Sequence, residues 1–169
     1  MHTSTLTNLV PGRFRIPLLI ILIAAGAAGN HFHYQIFLNI DFLFGSIFAL
    51  LAMQFLGFTR GVAASVIIAS YTFVLWNHPY AIIIMTAEVV VVGILMQRYK
   101  LGMVMADTCY WLIIGMPLGY IFYHMLMNSP MTSTSMVMIK QAINGITNAL
   151  VARYIFTFFV WRSRLVKTP

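Results

Sequence analysis

Between Asn39 and Arg98 the chain reads NIDFLFGSIFALLAMQFLGFTRGVAASVIIASYTFVLWNHPYAIIIMTAEVVVVGILMQR, three apolar runs parted only by Gly57 to Gly61 and by Asn77 to Pro79. Connections this short oblige successive runs to fold back on one another, and runs this apolar leave a soluble protein no polar face to show to water. An antiparallel helix hairpin in lipid needs none, because each helix satisfies its own backbone and its side chains meet acyl chains. The stretch therefore specifies membrane protein. Glu88, in the middle of the third run, is its most costly side chain.

Composition agrees with that reading: 61% of the residues are hydrophobic and 8% charged, with a mean hydropathy of +0.90, far from the soluble range. A formal charge of +7 would suggest nucleic acid in a soluble chain, but here the basic residues stand at the ends of apolar runs, where they set orientation. Nucleic acid is not an expected partner. The single Cys109 lies in an apolar run, which excludes a disulfide framework or a thiolate metal cluster. No cleavage site of the usual kind follows Arg13 and Arg15, so the first run is read as a retained helix.

In chain order the sequence predicts an all-α polytopic bundle of six transmembrane helices. Residues 1–13 form a short cytoplasmic lead, 14–161 the membrane domain, and 162–169 a basic tail or a junction to a further domain. Helix 1 runs from about Phe14 to Gly29 and extends or tilts toward Leu38; Ala24 with Ala28 and Ala25 with Gly29 offer small residues for close helix packing. Helix 2 spans Ile40 to Gly57 with Asn39 or Asp41 as its cap, helix 3 Gly61 to Trp76, and helix 4 Tyr80 to Gln97 behind Pro79. Helix 5 runs from Met103 to Met127 and is expected to kink or unwind at Gly115, Pro117 and Gly119. After a polar loop over Asn128 to Ser135, helix 6 extends from Met136 to Trp161.

With the N-terminus inside, Arg13, Arg15, Arg60, Arg98, Lys100, Arg162, Arg164 and Lys167 all fall on the cytoplasmic side, and the outer loops carry no Lys or Arg. Both termini are then cytoplasmic. On that orientation the polar residues gather in the outer half. Asp41 follows helix 1, Trp76 and His78 flank the next outer turn, and His124 ends helix 5. Lys140, Asn144 and Asn148 share one face of helix 6. Glu88 lies about 12 Å below the outer end of helix 4 at 1.5 Å per residue.

A charged, unpaired carboxylate at that depth costs about 2.5–3.5 kcal/mol, so Glu88 calls for a proton or for matching donors inside the bundle. Lys140, Asn144 and Asn148 are the natural candidates. Such a network can simply hold helices together; it can equally surround a small polar ligand entering from outside, with Asp41, Trp76, His78 and His124 nearer the mouth. Asp107 and Arg153, toward the cytoplasmic half, are positioned to pair structurally. His31-x-His33 with His78 and His124 on the same side could chelate a transition metal, but two His at a two-residue spacing share no helix face and the supporting carboxylates are few; a bis-His haem needs two facing helical His, and only His124 is clearly helical, so no cofactor is expected. Phosphate-loop, nucleophile-elbow and zinc-protease motifs are absent from the sequence, and no enzyme activity is expected of it.

NIDFLFGSIFALLA (Asn39 to Ala52), ASYTFVLWNHPYAIII (Ala69 to Ile84), Glu88 and Gly93 in TAEVVVVG, and IKQAINGITNAL (Ile139 to Leu150) together resemble the N-terminal six-helix, MASE-like membrane input modules of bacterial signalling proteins. The resemblance covers most of the chain. It implies a sensory role in the bacterial cytoplasmic (inner) membrane and a cytoplasmic diguanylate cyclase, histidine kinase or related output domain in cis or in trans; it supplies no ligand, so the unknown small-molecule ligand rests on the polar residues of the outer half alone, and a homodimer is compatible with it. The chain is also similar in size and helix number to the substrate-binding S subunits of energy-coupling-factor vitamin transporters, although the Ala24 to Gly29 patch falls at the outer end rather than the cytoplasmic one.

Overall fold

A computed structural model describes residues 10–32, 34–37 and 40–165. Among the described residues the chain forms six helices and one two-stranded hairpin: α1 (Gly12–His31), β1 (Tyr34–Phe37), β2 (Ile40–Phe42), α2 (Gly45–Leu56), α3 (Phe58–Trp76), α4 (Tyr80–Arg98), α5 (Met103–Leu126) and α6 (Met131–Leu165). Five of the helices have the length and hydropathy of a membrane span, and α2 is shorter. The protein is thus a helical membrane protein with many crossings, as the apolar runs require.

The short helix is the centre of the molecule. It buries nine of its twelve residues, whereas the longer helices keep most of their apolar surface outward, as lipid-facing helices do. α2 packs against α1, α3, α4 and α6, and the longer helices follow one another around it in the order α1, α3, α4, α5, α6. Among the described residues α1 and α6 make little or no contact with each other, so the ring is open there. The tightest turn, between α2 and α3, is the single residue Gly57 at φ 99°, a left-handed conformation that glycine adopts without strain. Asn77 and Asn128 take the corresponding left-handed positions after α3 and α5.

α2 does not begin at Ile40. Residues 40–42 are a strand, paired antiparallel with β1 through Tyr34 with Phe42 and Gln35 with Asp41, so the helix starts at Gly45 with Phe44, not Asp41, at its cap position; Asn39 lies outside the described residues. Side chains from elsewhere do the capping. Asn30, fully buried on α1, accepts from Gly45 N at 2.9 Å and donates to Ile68 O at 3.1 Å, tying three helices together. A Cβ at Gly45 would collide with that carboxamide. Leu43 is held out of the helix by α6: its N–H donates to Asn144 Oδ1 at 3.0 Å and its carbonyl accepts from Asn144 Nδ2 at 2.8 Å and from Asn148 Nδ2 at 2.7 Å. One carboxamide thus imitates a strand partner.

Helix 1 packs only in part through its expected small residues: a Cβ at Gly29 would meet Phe44 at 3.3 Å, but the Ala24 and Ala28 pair does not face the bundle. Leu22, Gly26 and Asn30 are buried, Ala24 and Ala28 are exposed, and a Cβ at Gly26 would lie 2.5 Å from Ile68 Cδ1. The helix ends at His31 and gives way to the hairpin rather than tilting on to Leu38. α5 does unwind around its Gly115, Pro117, Gly119 cluster: Trp111–Gly115 and Tyr120–Leu126 are π-helical, flanking Met116–Gly119. The wider turn accommodates the ring and missing N–H of Pro117. α6 starts at Met131, before the expected boundary, because the Ser/Thr run after Pro130 turns its groups inward to the helix: Thr134 N donates to Pro130 O at 2.9 Å and Ser135 Oγ to Met131 O at 2.9 Å. At 35 residues it is about 52 Å long, more than a bilayer core requires.

Candidate functional site

Glu88 projects from α4 into the bundle and is 1% exposed. Its neighbours are not Lys140 and the two asparagines. Asp107, from the facing turn of α5, lies against it with no exposed surface, and the Trp111 indole, one turn further along α5, is the third member of the cluster. Glu88 Oε1, both carboxyl oxygens of Asp107 and Trp111 Nε1 are all buried and have no hydrogen-bond partner of ordinary geometry in the protein. Tyr110, also buried, stands beside both carboxyls and donates its hydroxyl to Ile84 O at 2.6 Å, which fixes α4 against α5 at this level.

Local sequence explains the convergence. Asp107, Tyr110 and Trp111 follow the three- and four-residue spacing of one helix face, and the π-helical turn opening at Trp111 rotates that face inward. Across from it α6 presents Gly145, where a Cβ would collide with Trp111 Nε1. The indole is therefore seated on bare backbone. Asp107 makes no pair with Arg153, which is exposed on α6; the expected structural ion pair is replaced by a second carboxyl for Glu88.

Above the carboxyls, toward the α3–α4 turn, is a cavity of about 30 Å³ lined by Trp76, Lys140, Gln141, Asn144 and Trp111, among others. That volume suits about one or two waters and no organic molecule. Lys140 Nζ lies 5.6 Å from the Trp76 ring centroid, close enough for a cation–π contact. Gln141 donates through Nε2 to Tyr123 Oη at 3.3 Å, while its Oε1 is buried without a partner. The edge next to the α3–α4 turn is aromatic: His78 stacks on Trp76 with centroids 6.1 Å apart, lies tilted against Tyr80 at 5.2 Å and meets Tyr123 edge-on at 5.7 Å. Burial among these rings lowers the His78 imidazole below the usual 6.5, against a smaller opposing contribution from a backbone hydrogen bond.

The residues singled out from sequence therefore divide. Trp76, Lys140 and Asn144 share the cavity, His78 stacks on Trp76 without lining it, and Trp111 links it to Glu88. Asn148 is committed to Leu43 O and to Ser46 Oγ at 2.8 Å. His124 accepts or donates no bond toward the cavity: its Nδ1 lies 2.9 Å from Ser129 O in the α5–α6 turn. Asp41 is in the hairpin, opposite Gln35. Sequence reasoning missed Trp111 and Asn30 and gave Asp107 the wrong partner, although the shared helix face of Asp107 and Trp111 was there to be read.

The fold and this polar core define a multi-pass helical membrane protein with a buried pair of carboxyls. Comparison with known proteins gives no matching family model, no matching curated protein and no matching solved structure.

Proposed function

We propose that this chain is the sensory input module of a bacterial membrane signalling protein, with six spans and both termini on the cytoplasmic side. The observation that carries the reading is the Glu88, Asp107 and Trp111 cluster with its unpartnered buried atoms. Two carboxyls in contact within an apolar bundle need a proton or a cation between them, and any polar atom of the cluster that stays unpaired costs about 1–3 kcal/mol. A scaffold gains nothing from such an arrangement. A receptor does, because occupancy of the site then favours one packing of the helices over another.

Access is from the outer end, through the aromatic edge and the cavity beside Lys140 and Asn144. In this packing the cavity admits a water or a small ion, so a larger polar solute would bind a second packing in which α5 moves from α6. The π-helical turns of α5 supply the place for that movement. A preference of about 1–3 kcal/mol between the two packings suffices for a useful signal. α6, the longest helix, carries the change toward its basic end and on to an output domain in cis or in trans. A cyclase or kinase activity would belong to that partner.

The test is the thermal stability of the purified chain across a panel of small polar solutes and cations, for wild type, Glu88→Gln, Asp107→Asn and Asn144→Ala. The reading expects a solute-dependent rise that both carboxyl substitutions abolish and that Asn144→Ala retains from a lower baseline. A rise indifferent to Glu88→Gln and Asp107→Asn removes the site.

A further inference from the structure

The open side of the helix ring is a second site, independent of the carboxyl cluster. A groove of about 440 Å³ runs between α1 and α6 with α2 as its floor, lined by Leu18, Leu22, Phe48, Leu51, Phe55 and Phe159 among others. Its volume falls in the range of about 300–1,000 Å³ typical of small-molecule sites. Every lining residue is apolar. Along α1 it reaches from the helix start to Leu22, about 15 Å at 1.5 Å per residue, which is half of a bilayer core of about 30 Å. The groove is one leaflet deep.

Its open end is basic. Val10 and Val160 form the rim; Arg15 Nε donates to Val10 O at 3.2 Å, Arg13 is exposed beside it over the Phe14 ring, and Arg162 is exposed two residues beyond Val160. The three acidic residues of the chain are Asp41, Glu88 and Asp107, so none stands on α1, α2 or α6 to offset those arginines. An apolar slot of about leaflet depth with arginines at one end matches the shape and charge of an anionic phospholipid. We propose that it binds one anionic phospholipid, with an acyl chain on α2 between α1 and α6 and the phosphate held by Arg13 and Arg162. A helix of a second copy fits less well. It would need a slot of full membrane depth, and it would bring the same arginines of two chains together.

Because α2 is the hub of the bundle, this lipid would also complete its packing. The experiment uses the full delipidated chain in detergent, titrated with phosphatidylglycerol and with phosphatidylcholine of identical chains, and counts bound lipids by native mass spectrometry. The proposal expects a single phosphatidylglycerol bound about tenfold or more tightly than phosphatidylcholine. Arg13→Gln with Arg162→Gln should bring the two lipids to equal affinity while the chain stays folded, and Ile155→Trp, which fills the groove from α6, should remove both. Leu18→Trp fills it from α1 and serves if Ile155→Trp does not fold. Equal binding of the two lipids by wild type overturns the proposal, as does full binding by the filled variants. A dimer that the filled variants dissociate, with no lipid bound, also overturns it and gives the groove to a second copy.

Discussion

Leu43 offers the sharpest test of the packing, because its carbonyl has two donors and its N–H only one acceptor. Asn144→Ala removes the acceptor for Leu43 N but leaves Leu43 O bonded to Asn148. Asn148→Ala leaves both Leu43 groups bonded to Asn144 and costs the contact with Ser46 Oγ. Interhelical hydrogen bonds in membrane proteins average about 0.6 kcal/mol, whereas a stranded buried N–H or C=O costs about 1–3 kcal/mol. Asn144→Ala should therefore destabilise by about 2 kcal/mol and Asn148→Ala by about 1 kcal/mol, before any cavity at the more buried Asn148. The double substitution strands Leu43 O as well, which neither single one does. Its cost should exceed the sum of the singles by about 1 kcal/mol or more. Helix propensity and the separate losses of each amide cancel in that cycle, so the excess reports on what the two share, which is the Leu43 carbonyl and the space around it. Equilibrium unfolding in mixed micelles measures it, and additivity within about 0.3 kcal/mol would refute the two-donor arrangement.

Gly145→Ala should lower stability by about 1–3 kcal/mol through collision with the Trp111 indole, outweighing the gain of about 1 kcal/mol in helix propensity; a more stable variant would show that the indole is not seated there. Glu88→Gln should stabilise the purified protein by about 1 kcal/mol, since the new amide can donate to the unpartnered oxygens of Asp107, and a loss of similar size would mean that the Glu88 carboxyl already has a donor. Stability should fall as pH drops below 6.5, because the unfolded chain binds a proton on His78 that the folded, buried ring resists; the melting temperature of His78→Gln should lack that part of the acid-side slope, and an unchanged slope would place the titrating group elsewhere.

The large outlines were legible in the letters because they follow from length and hydropathy. α3 and α4 begin and end within a few residues of where Gly57, Gly61, Asn77 and Pro79 put them, and the unwinding of α5 was written in Pro117 and its glycines. What periodicity could not reach was the direction of polar side chains in a membrane helix. Asn144 and Asn148 do share a face with Lys140, yet that face meets a backbone segment at residue 43 more than a hundred positions away in sequence. The departure of residues 40–42 into a strand had the same cause. An apolar run with Asp41 at its head reads as a capped helix until an amide from another span claims the backbone beside it.

That substitution of partners also changes what the polar groups are for. In an apolar bundle, an amide satisfies backbone groups without carrying charge, and this chain spends Asn30, Asn144 and Asn148 on the buried N-terminal end of its short central helix and on Leu43 just before it. The amides that sequence reasoning had given to Glu88 are thereby used up. The two carboxyls are left facing each other and an indole, over a floor at Gly145 that only glycine permits. Structural need accounts for the asparagines completely, since removing them strands backbone at the core. It does not account for Glu88 and Asp107, whose replacement by neutral side chains would relieve the bundle rather than loosen it. The separation of these two sets, one fastening α2 and one expected to gain nothing for stability, is the physical ground for proposing the carboxyls, rather than the asparagines, as the site of a sensory response.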